Sequence, residues 1–130
     1  LVRTLSDVKE EYTLTKAEIE SLSGQVDLAR ILEILKKEKI VKESATIEAV
    51  TWARPKKSSD YPDGYHGRIG IHEVLEVTSS IKELIVKSAT SDEIEKQARK
   101  EGMITMLEDG FIKAAQKLTS IEEVLRVTSE

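Results

Sequence analysis

The sequence predicts an α+β fold that is mostly helical: a small N-terminal region of short strands with one or two helices, then a helical C-terminal region. Apolar residues recur at helical spacing over most of the second half of the chain. Thr-x-x-Glu pairs, which are typical of helix starts, introduce several of these stretches. β-branched residues with partial alternation occur only in short runs, so the strands should be few and brief.

The N-terminal region is predicted to contain two helices. The chain opens on LVRTL, a strand-like stretch with no preceding turn or cap, which we expect to be the cut edge of a longer chain. Thr15 and Glu18 have capping-box spacing and begin the first helix, which ends at Ser23-Gly24. The second helix lies within residues 25–39, because its apolar residues follow the i, i+3, i+4, i+7 rule: Leu28, Ile31, Leu32 and Leu35.

Two strands and a loop are predicted in the middle of the chain. The β-branched stretch ATIEAVTWA suits a strand over residues 45–53. Residues 54–64 hold both prolines of the chain and a Pro-Asp-Gly turn, so they should form an exposed loop. The stretch YHGRIGIHEVLEV, residues 65–77, favours a second strand in which Gly67 and Gly70 permit close backbone approach.

Four short helices are predicted after residue 77. The first is marked by its apolar residues, and each of the other three by a capping-box pair. These markers are Ile81, Leu84 and Ile85, then Thr90 with Glu93, Thr105 with Glu108, and Thr119 with Glu122. Gly102 should end the second of these helices, and Gly110 lies inside the third.

The composition excludes several classes of protein. The 130 residues carry 20 basic and 24 acidic side chains, so no basic arm for nucleic acid is expected. No apolar run is long enough for membrane insertion. The chain has no cysteine, which excludes a disulfide framework and a thiolate zinc site.

No residue stands out as catalytic. His66 and His72 lie six residues apart on one predicted strand, about 20 Å from each other, so they cannot ligate one metal together. The paired carboxylates, such as Glu108-Asp109 and Glu122-Glu123, fall in first helical turns and are expected to be solvated. The chain contains no phosphate-binding loop of the G-x-x-x-x-G-K-[ST] type.

Three stretches resemble the type II secretion and type IV pilus assembly ATPases. GYHGRIGIHEVLEV, residues 64–77, resembles the family signature G-Y-[KR]-G-R-x-G-I-[HY]-E-[VL]-L. Residues 94–127 resemble the family's C-terminal helical region, with Gly-Met, Met-x-x-Asp-Gly and Thr-Ser-x-x-Glu-Val in order. LVRTL is similar to the stretch by which these ATPases leave the nucleotide-binding core and enter a metal-binding insertion.

The resemblance implies three segments and a mechanical role. Residues 1–64 would be the insertion, 65–77 a strand of the nucleotide-binding core, and 78–130 a helical C-terminal subdomain. The chain would be the C-terminal part of a hexameric cytoplasmic motor at the inner membrane, transmitting motion without being catalytic itself. The phosphate loop and catalytic glutamate would precede Leu1, so ATP and magnesium would belong to the longer protein and no cofactor to this chain.

The resemblance also implies partners: the rest of the motor, neighbouring subunits of the hexamer and an inner-membrane platform protein. An alternative is a stand-alone protein-interaction module that shares the fold but not the motor. The sequence does not distinguish pilus assembly from secretion.

One departure from the family pattern concerns its metal site. The family pins the insertion with two C-x-x-C pairs that hold zinc, and the residues aligned with them here are Ser6, Lys9, Ser58 and Tyr61. These residues cannot hold tetrahedral zinc. We hypothesise that the apolar helix from Leu28 to Leu35, packed on the strand 45–53, replaces the metal.

The resemblance implies one residue of this chain that would contact bound nucleotide. Arg68 corresponds to the family arginine that lies near the base of bound nucleotide, where a guanidinium can stack on the ring. The alternative is that Arg68 pairs with a carboxylate such as Glu73 or covers the sheet edge.

Overall fold

A computed structural model describes residues 1–129 and confirms a mostly helical α+β fold, with 44% of the chain in helices. Four strands form two antiparallel pairs in this part of the chain. Two α-helices lie between the second and third strands, and four more follow the last strand. The elements are β1 (Val2–Leu5), β2 (Lys9–Thr13), α1 (Lys16–Ser23), α2 (Leu28–Lys37), β3 (Thr51–Pro55), β4 (Tyr65–Ile69), α3 (Ser79–Val86), α4 (Ser91–Lys100), α5 (Met106–Ala115) and α6 (Ile121–Thr128). None of the helices in this described part is long and apolar enough to cross a membrane.

The strands form a two-stranded ribbon that is interrupted in the middle. β1 pairs with β4, from Val2 opposite Ile69, and β2 pairs with β3, from Lys9 opposite Pro55. Two segments interrupt the ribbon: residues 6–8 between β1 and β2, and residues 56–64 between β3 and β4. Both lie between the β1–β4 pair and the β2–β3 pair. The predicted loop 54–64 is therefore confirmed except for its first two residues, which extend β3.

The predicted helix starts are confirmed for α1, α4 and α5. In each, the threonine hydroxyl accepts from the glutamate backbone N–H and the glutamate side chain accepts from the threonine N–H, which satisfies two otherwise unpaired donors. α2 begins at the cap residue Asp27, and its buried face consists of Leu28, Ile31 and Leu35 as predicted.

A single hydrophobic cluster draws on the N-terminal strands and helices and on α5 and α6. Trp52 and Phe111 are fully buried at its centre, with ring centroids 5.9 Å apart and planes at 88°. The buried face of α2 belongs to the same cluster, together with Val50 from the segment before β3. The N-terminal region and the last two helices thus share one core.

Two predicted strands were too long. Residues 47–49 form a short 3-10 helix, and β3 begins only at Thr51, opposite Thr13 where β2 ends. The strand predicted over 65–77 ends at Ile69, because β1 begins at the opposite residue, Val2, and the described chain offers residues 70–77 no strand to pair with. Strand length is therefore set by the partner and not by local composition.

The start of α6 was predicted one residue early. The cap is Ser120, whose hydroxyl accepts from the Glu123 N–H at 3.1 Å. The hydroxyl of Thr119 donates to the Arg3 carbonyl at 2.7 Å, so this side chain contacts β1 while Ser120 makes the cap.

Gly110 is required by the packing of α5 on α6. A Cβ atom at this position would lie 2.5 Å from Cγ1 of Val124, a side chain that is itself fully buried. Glycine inside a helix costs about 1 kcal/mol relative to alanine, but here it lets the two helices approach closely.

Candidate functional site

Arg68 lies on β4 with its side chain exposed to solvent. Its backbone pairs with that of Arg3 on β1, so two cationic residues lie side by side on the two strands. Glu73 is not its partner in the described structure, because the Glu73 carboxylate accepts from the Met106 backbone N–H at 3.2 Å. Over residues 1–129, no ion pair or hydrogen bond of the Arg68 guanidinium is found.

The four positions at which the resemblance leads us to expect the family cysteines, Ser6, Lys9, Ser58 and Tyr61, lie around the break in the ribbon. Ser6 follows β1 and donates its backbone N–H to the Gly64 carbonyl at 3.0 Å. Gly64 in turn donates to the Tyr61 carbonyl at 2.9 Å. Lys9 is the first residue of β2 and pairs with Pro55, which precedes Ser58 by three residues in sequence. The fold therefore places all four residues in one region, although they are up to 55 positions apart in sequence.

Each of these four side chains contacts another residue of the protein. The Ser6 hydroxyl donates to the Val8 carbonyl at 3.0 Å, and the Ser58 hydroxyl accepts from the Tyr61 N–H at 3.1 Å. The Tyr61 ring lies against His66, with centroids 4.8 Å apart. The Lys9 ammonium donates to the Lys117 carbonyl beyond the end of α5, where a helix favours positive charge.

The donor set at the break does not fit zinc. Two hydroxyls, an ammonium and a phenol supply neither thiolate nor imidazole, and Lys9 would bring a like charge to the cation. Over residues 1–129, no group of three or more His, Cys, Asp or Glu side chains is placed to hold a metal ion. We derive no step through a metal at this position.

The resistance of the fold to a chelator follows from this donor set. We expect an excess of EDTA to leave the melting temperature unchanged, because the residues at the ribbon break supply no set of zinc ligands. Thermal unfolding followed by circular dichroism, with and without EDTA and with added zinc, measures this. A fall of several degrees with the chelator would contradict the hypothesis that apolar packing replaces the metal.

Sequence reasoning missed a buried carboxylate that joins β1 to α6. Glu123 is 1% exposed and accepts from the Arg3 side chain at 3.1 Å (Nε) and 2.9 Å (Nη2) and from the Arg3 backbone N–H at 3.0 Å. Arg126 donates to the same carboxylate at 3.0 Å (Nε) and 2.7 Å (Nη2). The expectation that the paired carboxylates are solvated is therefore wrong for Glu123.

Four further contacts surround this carboxylate; three of them fasten β1 and β4 to the turn before α6, and the fourth joins the two strands. The Leu5 N–H donates to the Leu118 carbonyl at 2.9 Å, and the Thr119 hydroxyl bonds to the Arg3 carbonyl. The Tyr65 and Ser120 hydroxyls are 2.7 Å apart, and the Arg3 guanidinium lies 4.2 Å above the Tyr65 ring. We call this group the strand–helix clamp: Arg3, Tyr65, Thr119, Ser120 and Glu123.

The charges of the clamp stabilise one another. The hydrogen bonds from Arg126 lower the pKa of Glu123, burial opposes them, and the contacts from Arg3 lower it further, so that the pKa lies well below its usual range. The same contacts raise the pKa of Arg3. Glu123 is consequently ionised at every pH at which the protein is expected to work.

A second buried carboxylate, Glu108, links α2 to α4 and α5. Its side chain is 4% exposed, closes the capping box of α5 and accepts from Arg30 Nε at 2.5 Å and Arg99 Nη2 at 3.4 Å. Burial raises its pKa, but the Thr105 N–H and the Arg30 guanidinium lower it more, so the net shift is downward. Glu108 is thus also wrongly predicted as solvated.

Most of the residues described above lie in a segment that matches one protein family. The family model described as "Type II/IV secretion system protein" matches residues 5–126. The chain belongs to this family. The match includes β4 with Arg68, most of the ribbon break and the C-terminal helices, so the resemblance predicted from the sequence is confirmed.

Several relatives carry more specific names. The type II secretion system ATPase E of Vibrio cholerae is 36% identical over 131 residues, which cover 100% of this chain and 22% of that protein. The type IV pilus assembly ATPase PilB of Pseudomonas aeruginosa is 46% identical over 68 residues, 52% of this chain and 12% of its own length. The type II secretion system protein E of Xanthomonas campestris is 46% identical over 77 residues, 59% of this chain and 14% of its own. The matched part of the chain therefore spans between about an eighth and a fifth of the length of these relatives.

Proposed function

We propose that the chain is the C-terminal part of a hexameric motor ATPase for type IV pilus assembly or type II secretion, and that its role is mechanical. The observation that carries the proposal is its similarity along its entire length to the secretion ATPase E of Vibrio cholerae. The motor would lie in the cytoplasm against the inner membrane, with the rest of the ATPase, neighbouring subunits and a platform protein as partners. ATP and magnesium would bind to the longer protein.

The strand–helix clamp supports the mechanical part of this proposal. A force on β1 or β4 reaches α6 through a buried, multiply bonded carboxylate and several hydrogen bonds, without passing through a flexible loop. The insertion joins the same body through Trp52 and Phe111. Nucleotide-driven movement of the core strands would therefore carry the insertion and the last two helices along as one piece.

ATP hydrolysis tests whether catalysis requires the part of the protein upstream of this chain. The chain of 130 residues is expected to show no hydrolysis above buffer, whereas a longer form of the protein that includes the upstream sequence hydrolyses ATP. Phosphate release by both forms at equal concentration, with magnesium, measures this. Hydrolysis by the short chain would overturn the proposal, and an inactive longer form would favour the interaction module.

Arg68 is proposed to contact the nucleotide base in the longer protein. Its exposed, unpaired position on β4 supports this role. Replacing Arg68 with alanine is expected to weaken ATP binding severalfold and to leave the binding of inorganic triphosphate, which has no base, unchanged. Replacing Arg54, an exposed arginine that stacks on Tyr12, serves as the matched control. Equal losses for both ligands would exclude a base contact.

A further inference from the structure

Helices α3 and α4 are packed on each other but lie outside the main core. The main hydrophobic cluster includes Ile71 before these helices and Leu107 after them. Among the described residues, none from 72 to 106 belongs to it. The buried residues of the two helices are Ile81 and Ala98, and neither belongs to that cluster. We call α3 and α4, residues 79–100, the arm, and the remaining elements the body.

Hydrogen bonds join the segments on either side of the arm to the body. The backbone N–H of His72 donates to Asp109 at 2.8 Å, and the Met103 carbonyl accepts from Arg30 at 3.0 Å. Among the described residues, one ion pair joins the arm itself to the body, from Arg99 to Glu108 at 3.4 Å. Polar contacts of this kind are exchanged for water at low cost, in contrast to the burial that holds the body together.

Both connections of the arm contain residues that belong to no helix and no strand. Residues 70–78 form neither helix nor strand before α3 begins. After α4, the chain turns at Gly102, whose φ of 107° is readily adopted by glycine and by almost no other residue. Short irregular segments at the two ends of a rigid pair of helices are typical of a hinge.

Glu108 is arranged so that the arm can leave without exposing an unpaired buried charge. Its Oε2 atom accepts from both Arg99 and Arg30, and the contact to Arg30 on α2 is the shorter by 0.9 Å. If Arg99 withdraws, Glu108 keeps Arg30 and the Thr105 N–H. The Nε atom of Arg99 is buried without a hydrogen-bond partner among residues 1–129, and it gains water when the arm opens.

We propose that the arm swings as one unit about residues 74–77 and 102–104, with the Arg99–Glu108 ion pair as its latch. Because the latch oxygen is shared with Arg30, the position of α2 in the body sets how firmly the arm is held. The proposal depends only on packing and hydrogen bonding in this chain. It stands whether or not the chain serves a motor.

The absence of native cysteine makes the test direct, since spin labels can be placed at chosen positions of the full chain. One labelled pair, Glu33→Cys with Lys96→Cys, measures the distance between body and arm. A second pair, Glu33→Cys with Gln116→Cys, lies entirely within the body. All three positions are exposed. Pulsed electron resonance of both pairs is recorded with Arg99 intact, with Arg99→Gln, and with the exposed control Lys100→Gln.

With Arg99→Gln, the population of longer distances between body and arm is expected to rise roughly two- to fivefold, which corresponds to the loss of one partly exposed ion pair. Lys100→Gln and the body pair are expected to show no change. The proposal is overturned if Arg99→Gln leaves the arm distances as they were. It is equally overturned if the body pair broadens in step with the arm pair, because the change would then be a loosening of the entire fold.

Discussion

Replacing Glu123 with alanine is expected to lower the free energy of unfolding by about 3–5 kcal/mol. The change removes a buried acceptor and leaves Arg3, its backbone N–H and Arg126 without the carboxylate they share. A domain of this size is typically stable by only 5–15 kcal/mol, so the loss is a large fraction of the total. Urea unfolding followed by circular dichroism measures it, with the exposed neighbour Glu122→Ala as the matched control.

The same carboxylate makes stability depend on pH. Its pKa is lowered in the folded chain relative to about 4.5 when unfolded, so its stabilising effect is complete above pH 4.5 and is lost as the pH falls towards the folded value. Glu108 acts in the same direction. We expect stability to decrease from pH 5 to pH 3, and to decrease less steeply in Glu123→Gln. An equally steep decrease in that variant would show that Glu123 is not responsible.

Replacing Trp52 with alanine is the second change with a large expected effect, about 3–5 kcal/mol. Trp52 is fully buried and packs edge-on against Phe111 of α5, so the cavity would lie between the insertion and the C-terminal helices. The helical signal should therefore be lost together with the strands in one transition at a lower urea concentration. Circular dichroism measures this, since the variant lacks the single tryptophan that would report by fluorescence.

Trp52→Phe is the informative companion. The indole N–H of Trp52 is buried with no hydrogen-bond partner among the described residues, so phenylalanine removes an unsatisfied donor while keeping most of the apolar contact. We expect it to cost less than half as much as alanine. If the two variants were equally unstable, the contribution of Trp52 would have to come from something other than apolar packing.

The helices were largely predictable because their signals are local. The amphipathic stripe of α2 and the capping boxes that begin α1, α4 and α5 each lie within a few residues of the chain. The ends were less predictable. α2, α3 and α5 are followed by non-glycine residues with positive φ, Lys39, Ser88 and Lys117, where a sequence pattern would call for glycine or asparagine.

The strands and the clamp depend on residues that are distant in sequence. β2, with the sequence KEEYT, has little intrinsic preference for a strand and forms because β3 pairs with it at every position. Both Thr119 with Glu122 and Ser120 with Glu123 have capping spacing, and Arg3, more than 100 residues away, decides between them by burying Glu123. Local sequence contains no signal of that choice.

Native-state hydrogen exchange tests most directly whether the strands, the insertion and the last two helices form one mechanical body. We expect the Leu5 N–H in β1, the Leu35 N–H in α2 and the Val124 N–H in α6 to exchange with the same free energy, equal to that of global unfolding. If the amide in α6 instead exchanged with a free energy several kcal/mol below that of β1, the clamp would not hold the two together, and a force on the strands would not reach the C-terminal helix.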